Sequence, residues 1–301
     1  MRTIRPDAVS KWTQITTWSA MILRMLSLLA TLGLAACATA TSALVNSPVL
    51  LGRGFKLEEQ AFGPQAWQKL DIFTPESDGP WDVVVFFHGG RWSSGRKEDY
   101  QFVGAALARQ GFLTVIPDYR KYPEIRFPTF VKDAAQAVAW VHDMIGARGG
   151  KPGRVHLAGH SSGAHVAALL VADQSYLKAE GKAVNEVVKS FAGLAGPYAF
   201  TPEDPELKDM FGPPERYAQM RVPTFIDGSE PPMLLLHGAD DTTVGAFNHQ
   251  LLADQIRTRG GNVEVVIYPG VGHVGIIAAF SRLGPSTPVI RDLKRFFDAI
   301  Q

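Results

Sequence analysis

The segment Gly159-His160-Ser161-Ser162-Gly163 sets a serine between two glycines. The apolar run Arg154–Ala158 precedes it, and Ala164–Leu170 follows with helix-like composition. That pattern predicts a strand, a sharp turn and a helix, with Ser161 at the apex. The flanking glycines suit a turn too tight for β-carbons on either side. A hydroxyl lifted out of such a turn can attack an electrophilic carbon. Glycine–serine turns also occur in plain loops. The strand before and the helix after are the context that favours the nucleophile.

A serine hydroxyl needs a general base, and the base needs an orienting carboxylate. Two later loops offer both. One is His237-Gly238-Ala239-Asp240-Asp241-Thr242-Thr243-Val244, after the apolar run Met233–Leu236. The other is Tyr268-Pro269-Gly270-Val271-Gly272-His273, after Val263–Ile267. For a serine on such an elbow, the order along the chain is serine, acid, histidine. His88, His160 and His165 precede or surround the serine, and His237 precedes the acid. His156 lies inside an apolar strand and reads as a packed histidine. His273 is therefore the expected base. Asp240 and Asp241 compete as the acid, and either could instead be a solvated turn residue or an N-cap before Val244. The run His88-Gly89-Gly90-Arg91-Trp92 follows the apolar Val83–Phe87. Its glycines would let backbone N–H groups approach a developing oxyanion, where one donor is worth ~3–4 kcal/mol. The amide of Ser162 would be the partner donor. A plain strand-ending turn is the competing reading of this run.

Alternating elements must position these loops. Strands are expected at Gly54–Glu58, Gln68–Phe73, Asp82–Phe87, Phe112–Ile116, Val155–Ala158, Ser190–Leu194, Met233–Leu236 and Val263–Ile267. Helices are expected over Tyr100–Gln110, Phe130–Ile145 and about Val289–Ile300, with others between the later strands. Strands alternating with helices imply a mostly parallel sheet covered on both faces. The stretch Phe200–Pro232 carries seven prolines and reads either as an excursion overhanging the site or as a simple surface loop. Arg120 and Asp133 are expected to pair as a brace. Trp92 and Tyr100 are candidate pocket walls or packing residues, and Tyr198 has no assigned role.

Composition narrows the classes. The chain has 301 residues, 46% hydrophobic and 20% charged, enough for a substantial core. A formal net charge of +1 gives no electrostatic case for nucleic acid. There is one cysteine, so no intrachain disulfide is possible, and no cysteine–histidine cluster has metal spacing. No metal and no cofactor are expected.

The motifs from Gln68-Lys69-Leu70-Asp71-Ile72 through His88-Gly89-Gly90-Arg91-Trp92, Asp118-Tyr119-Arg120, Phe127-Pro128 and Gly159–His165 resemble the carboxylesterase and kynurenine-formamidase-like (BD-FAE-like) branch of the α/β-hydrolase superfamily. That branch lies near the hormone-sensitive-lipase-type esterases. The resemblance spans roughly residues 55 to 300. It implies an α/β-hydrolase fold with a minimal cap. It implies that Asp241, four residues after His237, is the acid, that His273 is the base, and that Gly90 and Arg91 join Ser162 in the oxyanion hole. Arg91 stands where the related motif has a third glycine; a backbone amide survives that change.

The N-terminus reads as an address. Within Met21–Ala36 and before it, basic residues (Arg2, Arg5, Lys11, Arg24) precede a short apolar run, a secretory signal pattern, and the run after Arg24 is too short for a comfortable membrane span. Leu34-Ala35-Ala36-Cys37 resembles the lipobox of bacterial lipoproteins, which implies lipidation of Cys37 and a membrane partner through that anchor. Ala38 rather than aspartate after it implies the outer membrane, periplasmic side, in a Gram-negative cell. An ordinary signal peptide cut near Ala38 or Ala40 is the alternative. The expected organisation is residues 1–37 as signal and lipobox, 38–53 as a tether and 54–301 as one catalytic domain. The expected activity is hydrolysis of small carboxylic esters through an acyl-enzyme. The alternatives are an arylformamidase-type amidase and a catalytically silent envelope lipoprotein.

Overall fold

The computed structural model describes residues 52–282 and 284–300. The signal segment, Cys37 and nearly all of the expected tether lie outside them. Eight strands form one sheet: β1 (Phe55–Ala61), β2 (Lys69–Pro75), β3 (Trp81–Phe87), β4 (Leu113–Pro117), β5 (Gly150–His160), β6 (Val188–Leu194), β7 (Met233–Gly238) and β8 (Val263–Tyr268). Their order is β1-β2-β4-β3-β5-β6-β7-β8. β1 and β2 run antiparallel to their neighbours. From β4 to β8 every pairing is parallel.

The central strands are buried on both faces, as their unbroken apolar runs require. Val83 to Phe87 are fully buried. Val83, Val85 and Phe87 join the main core, together with Phe130 and Val138 of the helix Thr129–Met144. Phe86, on the opposite face, packs against Tyr100 and Phe280. All eight expected strands form. β5 is the strand whose extent the apolar pattern understates most. It begins at Gly150, because Gly150 already pairs with Trp81 of β3, and the register shifts between Trp81 and Val83.

The parallel strands end their carboxyl termini along one edge, and the loops that leave them gather there. These are the loops after β3, β5, β7 and β8. The excursion after β6 folds as a short helix, Pro205–Phe211, and two 3₁₀ turns, Pro214–Gln219 and Val222–Thr224. Asp204 caps that helix by accepting the Leu207 amide at 3.0 Å. Met210, Phe211, Met220, Val222 and Ile226 are buried in the main core. Of the two readings of this stretch, the structure therefore supports the overhang: it is a packed lobe, not a loose loop.

Candidate active site

Ser161 is the joint between β5 and the helix Ser162–Ala172. Its backbone is held at φ 55°, ψ −125°, a region few non-glycine residues occupy. Its amide donates to the Leu194 carbonyl at 2.9 Å, and its carbonyl accepts from His165. The glycines around it permit this geometry. A β-carbon on Gly163 would collide with the carbonyl oxygens of Phe87 and His88, and one on Gly159 would lie 2.6 Å from the Gly163 carbonyl.

Three distant loops meet at this serine. His273 Nε2 stands 2.9 Å from Ser161 Oγ. His273 Nδ1 stands 2.8 Å from Asp241 Oδ2. The Asp241 side chain is fully shielded from solvent. Its other oxygen accepts the amides of Thr243 and Val244, both at 2.8 Å. Burial alone would push this carboxyl up. The Val244 and His273 hydrogen bonds outweigh it and hold the group below its usual range. Asp240, by contrast, is exposed, and its side chain has no hydrogen-bond partner among the described residues. Of the two aspartates, Asp241 is the one whose carboxylate reaches His273, and the same carboxylate caps its own turn.

The loop after β3 is locked before it reaches the serine. His88 is fully buried, stacked 4.5 Å from the Tyr119 ring and 3.2 Å from Asp118 Oδ1. Tyr119 donates to the His88 carbonyl at 2.7 Å. Gly90, Arg91 and Trp92 all adopt positive φ: 133°, 55° and 59°. Among the described residues no acceptor takes the amides of Gly90, Arg91 or Ser162, the three expected in the oxyanion hole. Ser162 is also the first residue of its helix, where the helix dipole adds positive potential. Arg91 and Ser162, like Ser161, line a cavity of about 450 Å³. Its remaining wall includes Trp92, Phe200, Leu207, Val244 and Phe247.

Some candidates lie elsewhere. Trp92 does line the cavity, stacked 5.2 Å from Phe200. Tyr100 does not reach it: its hydroxyl sits behind Gly89, 3.0 Å from His160 Nδ1. Arg120 forms the expected brace, with Nη2 2.7 Å and Nε 2.9 Å from the Asp133 carboxylate. His156 is packed, bonded to Ser190 at 2.8 Å and stacked on Phe297. Tyr198 is buried against Phe191.

One contributor escapes the chain-order argument. His160 is buried, and desolvation together with the nearby His273 pushes its imidazole down to about 3, so the ring is neutral. Its Nε2 donates to the His273 carbonyl at 3.1 Å, which leaves Nδ1 to accept from Tyr100. Tyr100, His160 and the His273 backbone thus form one hydrogen-bonded chain that reaches the β8 loop. The only hint in the sequence is its place beside Ser161.

The strand order, the serine elbow at the end of β5 and the histidine and aspartate in the following loops define an α/β-hydrolase. The chain belongs to the BD-FAE family, whose profile matches residues 70–256. Among curated proteins it is 29% identical over 242 residues to an isoprenylcysteine alpha-carbonyl methylesterase of Arabidopsis thaliana, covering 71% of this chain and 56% of that protein. It is 28% identical over 246 residues to Esterase LipC of Mycobacterium tuberculosis, covering 74% of this chain and 59% of that one. The chain therefore spans less than two thirds of the length of these relatives. Esterase B of Lactobacillus rhamnosis has the same fold, with a TM-score of 0.72 at 19% identity, covering 88% of this chain and 92% of that one. Apo esterase 2 of Thermogutta terrifontis shares it at a TM-score of 0.66 and 21% identity, covering 81% and 92%.

Proposed function

We propose that the protein hydrolyses carboxylic esters through an acyl-enzyme on Ser161. One observation carries this reading: the unbroken Asp241–His273–Ser161 hydrogen-bond chain, which ends at a cavity. Ser161 Oγ attacks the ester carbonyl as His273 Nε2 takes its proton. Asp241 fixes the Nδ1–H tautomer and stabilises the imidazolium that forms. The amides of Gly90, Arg91 and Ser162 receive the charge developing on the carbonyl oxygen. His273 then protonates the departing alkoxide, and the alcohol leaves. Water, deprotonated by the same imidazole, attacks the acyl-enzyme; the acid is released and Ser161 recovers its proton. The esterase names of the relatives support this class of reaction.

The test is labelling by a fluorophosphonate, mapped to the modified residue, with a panel of p-nitrophenyl esters and N-formylkynurenine. Ser161→Ala should abolish labelling and cut ester turnover by orders of magnitude while the fold persists. Turnover within about tenfold of wild type would remove the assignment. Preference for N-formylkynurenine would instead favour the formamidase reading. No labelling and no turnover would favour the silent lipoprotein.

The lipobox pattern supports a lipid-anchored enzyme at the bacterial envelope. Palmitate labelling that persists in Cys37→Ser protein would refute that anchor.

A further inference from the structure

The cavity over Ser161 does not stop at the nucleophile. A second hollow of about 640 Å³ shares with it the wall residues Ala199, Thr201, Arg221 and Leu251. Arg221 is the charged one of the four. It is half-buried, and its guanidinium has no ion pair or hydrogen bond with any described residue. Its footing is rigid. The residues on either side, Met220 and Val222, are fully buried. The Met220 carbonyl accepts from His165 Nε2 at 2.7 Å, and His165 lies on the same helix as Ser162. The Val222 amide donates to the Tyr198 carbonyl at 2.9 Å. Arg221 is thus tied to the scaffold that carries the nucleophile.

The other charges of the first cavity are accounted for differently. Arg91 is matched by Asp204 at 2.6 Å and Glu206 at 3.5 Å. Glu203 is exposed to solvent. That leaves an unpaired, partly sheltered cation on an anchored stretch of backbone where the two hollows meet. A guanidinium offers a planar fork that fits a carboxylate with two parallel hydrogen bonds. Partial shelter from water strengthens such a pair.

We propose that Arg221 holds a carboxylate carried by the substrate, so that the preferred esters bear an acidic group remote from the scissile bond. This rests on the ester-hydrolase reading of Ser161. The ester lies at Ser161 and the acidic end reaches the junction of the two hollows.

Matched pairs test it. Monomethyl adipate against methyl hexanoate places the acid on the acyl side. The butyrate ester of 6-hydroxyhexanoate against hexyl butyrate places it on the alcohol side. In one of the two pairs, wild-type kcat/KM should favour the acidic member. Arg221→Gln should lower that preference about ten- to a hundredfold, the range of one charge-assisted pair. Arg221→Lys should restore part of it, and added salt should shrink it. If neither acidic member is preferred, or if Arg221→Gln lowers both members equally, the inference is overturned. Binding separates the two claims. Ser161→Ala protein should bind monomethyl adipate or the hydroxyhexanoate ester in a calorimeter, and the Ser161→Ala/Arg221→Gln protein should not. Arg221-dependent binding without wild-type hydrolysis would keep the subsite and reject the hydrolase reading. Hydrolysis without Arg221-dependent binding would do the reverse.

Discussion

At the scale of single residues, Asp241 carries two duties with one carboxylate. One oxygen closes the turn that starts at Gly238 by binding the Thr243 and Val244 amides, and the other meets His273. The turn holds the aspartate through contacts that do not involve the histidine, so the imidazole faces a positioned partner. An amide in that position offers His273 a donor where an acceptor is needed and favours the wrong tautomer. Asp241→Asn should therefore lower kcat by a large factor, on the order of 10⁴ in a well-studied triad. Asp240→Asn, at an exposed position, should stay within a few-fold of wild type. Purified variants ranked the other way would transfer the role to Asp240. The serine, the histidine and the pair of aspartates were legible because each sits in a short loop whose neighbours define it. Tyr100 was not. Its hydroxyl meets His160 because β3 lies between β4 and β5 in the sheet, and no local pattern encodes that neighbourhood.

At the scale of elements, the loop after β3 shows backbone and side chain serving different ends. The backbone from Gly90 to Trp92 runs through three successive positive φ angles. A β-carbon on Gly90 would strike the Ser94 carbonyl oxygen, so this glycine is required by contact as well as by conformation. The Arg91 side chain points the other way in function: it grips Asp204 and Glu206 at the start of the helix Pro205–Phe211. Those pairs are largely exposed, and exposed pairs contribute roughly 0–1 kcal/mol each. Gly90→Ala should consequently remove most ester turnover, whereas Arg91→Ala, which keeps the amide, should cost at most about tenfold. Equal losses in kcat would mean that the Arg91 side chain matters as much as the loop backbone. The strands and the main helices were legible from apolar periodicity. The overhanging lobe was not settled by it, because its prolines and short turns carry no period; its buried Met210, Phe211 and Met220 become visible only against the finished core.

At the scale of the whole molecule, burial holds five imidazoles below their usual range, those of His156, His160, His165, His237 and His249, and so shapes the response to acid. Burial pushes His160 down to about 3, and pushes His165 and His249 down to about 4. In the unfolded chain each would titrate near 6.5. Below that value the unfolded state takes up protons the folded state refuses, so the unfolded state gains. The stability these groups contribute is fully present above about pH 6.5 and is lost progressively as the pH falls towards 4. Urea midpoints measured from pH 7 to pH 4 should fall monotonically, with about three protons taken up on unfolding near pH 5 by His160, His165 and His249 alone. A flat profile over that interval would show that these rings are not held neutral.

The lobe between β6 and β7 also divides the labour of the chain. It builds much of the wall around the reaction chamber through Phe200, Leu207 and Arg221, yet none of the groups assigned to proton transfer lies in it. Part of the chamber's wall is thus written apart from the proton-transfer groups, although Trp92, Val244 and Phe247 also line it. Only the members of the stretch that face the chamber, Phe200, Thr201, Glu203, Leu207 and Arg221, can vary without disturbing the core that Met210, Phe211 and Met220 complete. A laboratory seeking altered selectivity should randomise those positions first and leave the loops that hold Ser161, Asp241 and His273 alone.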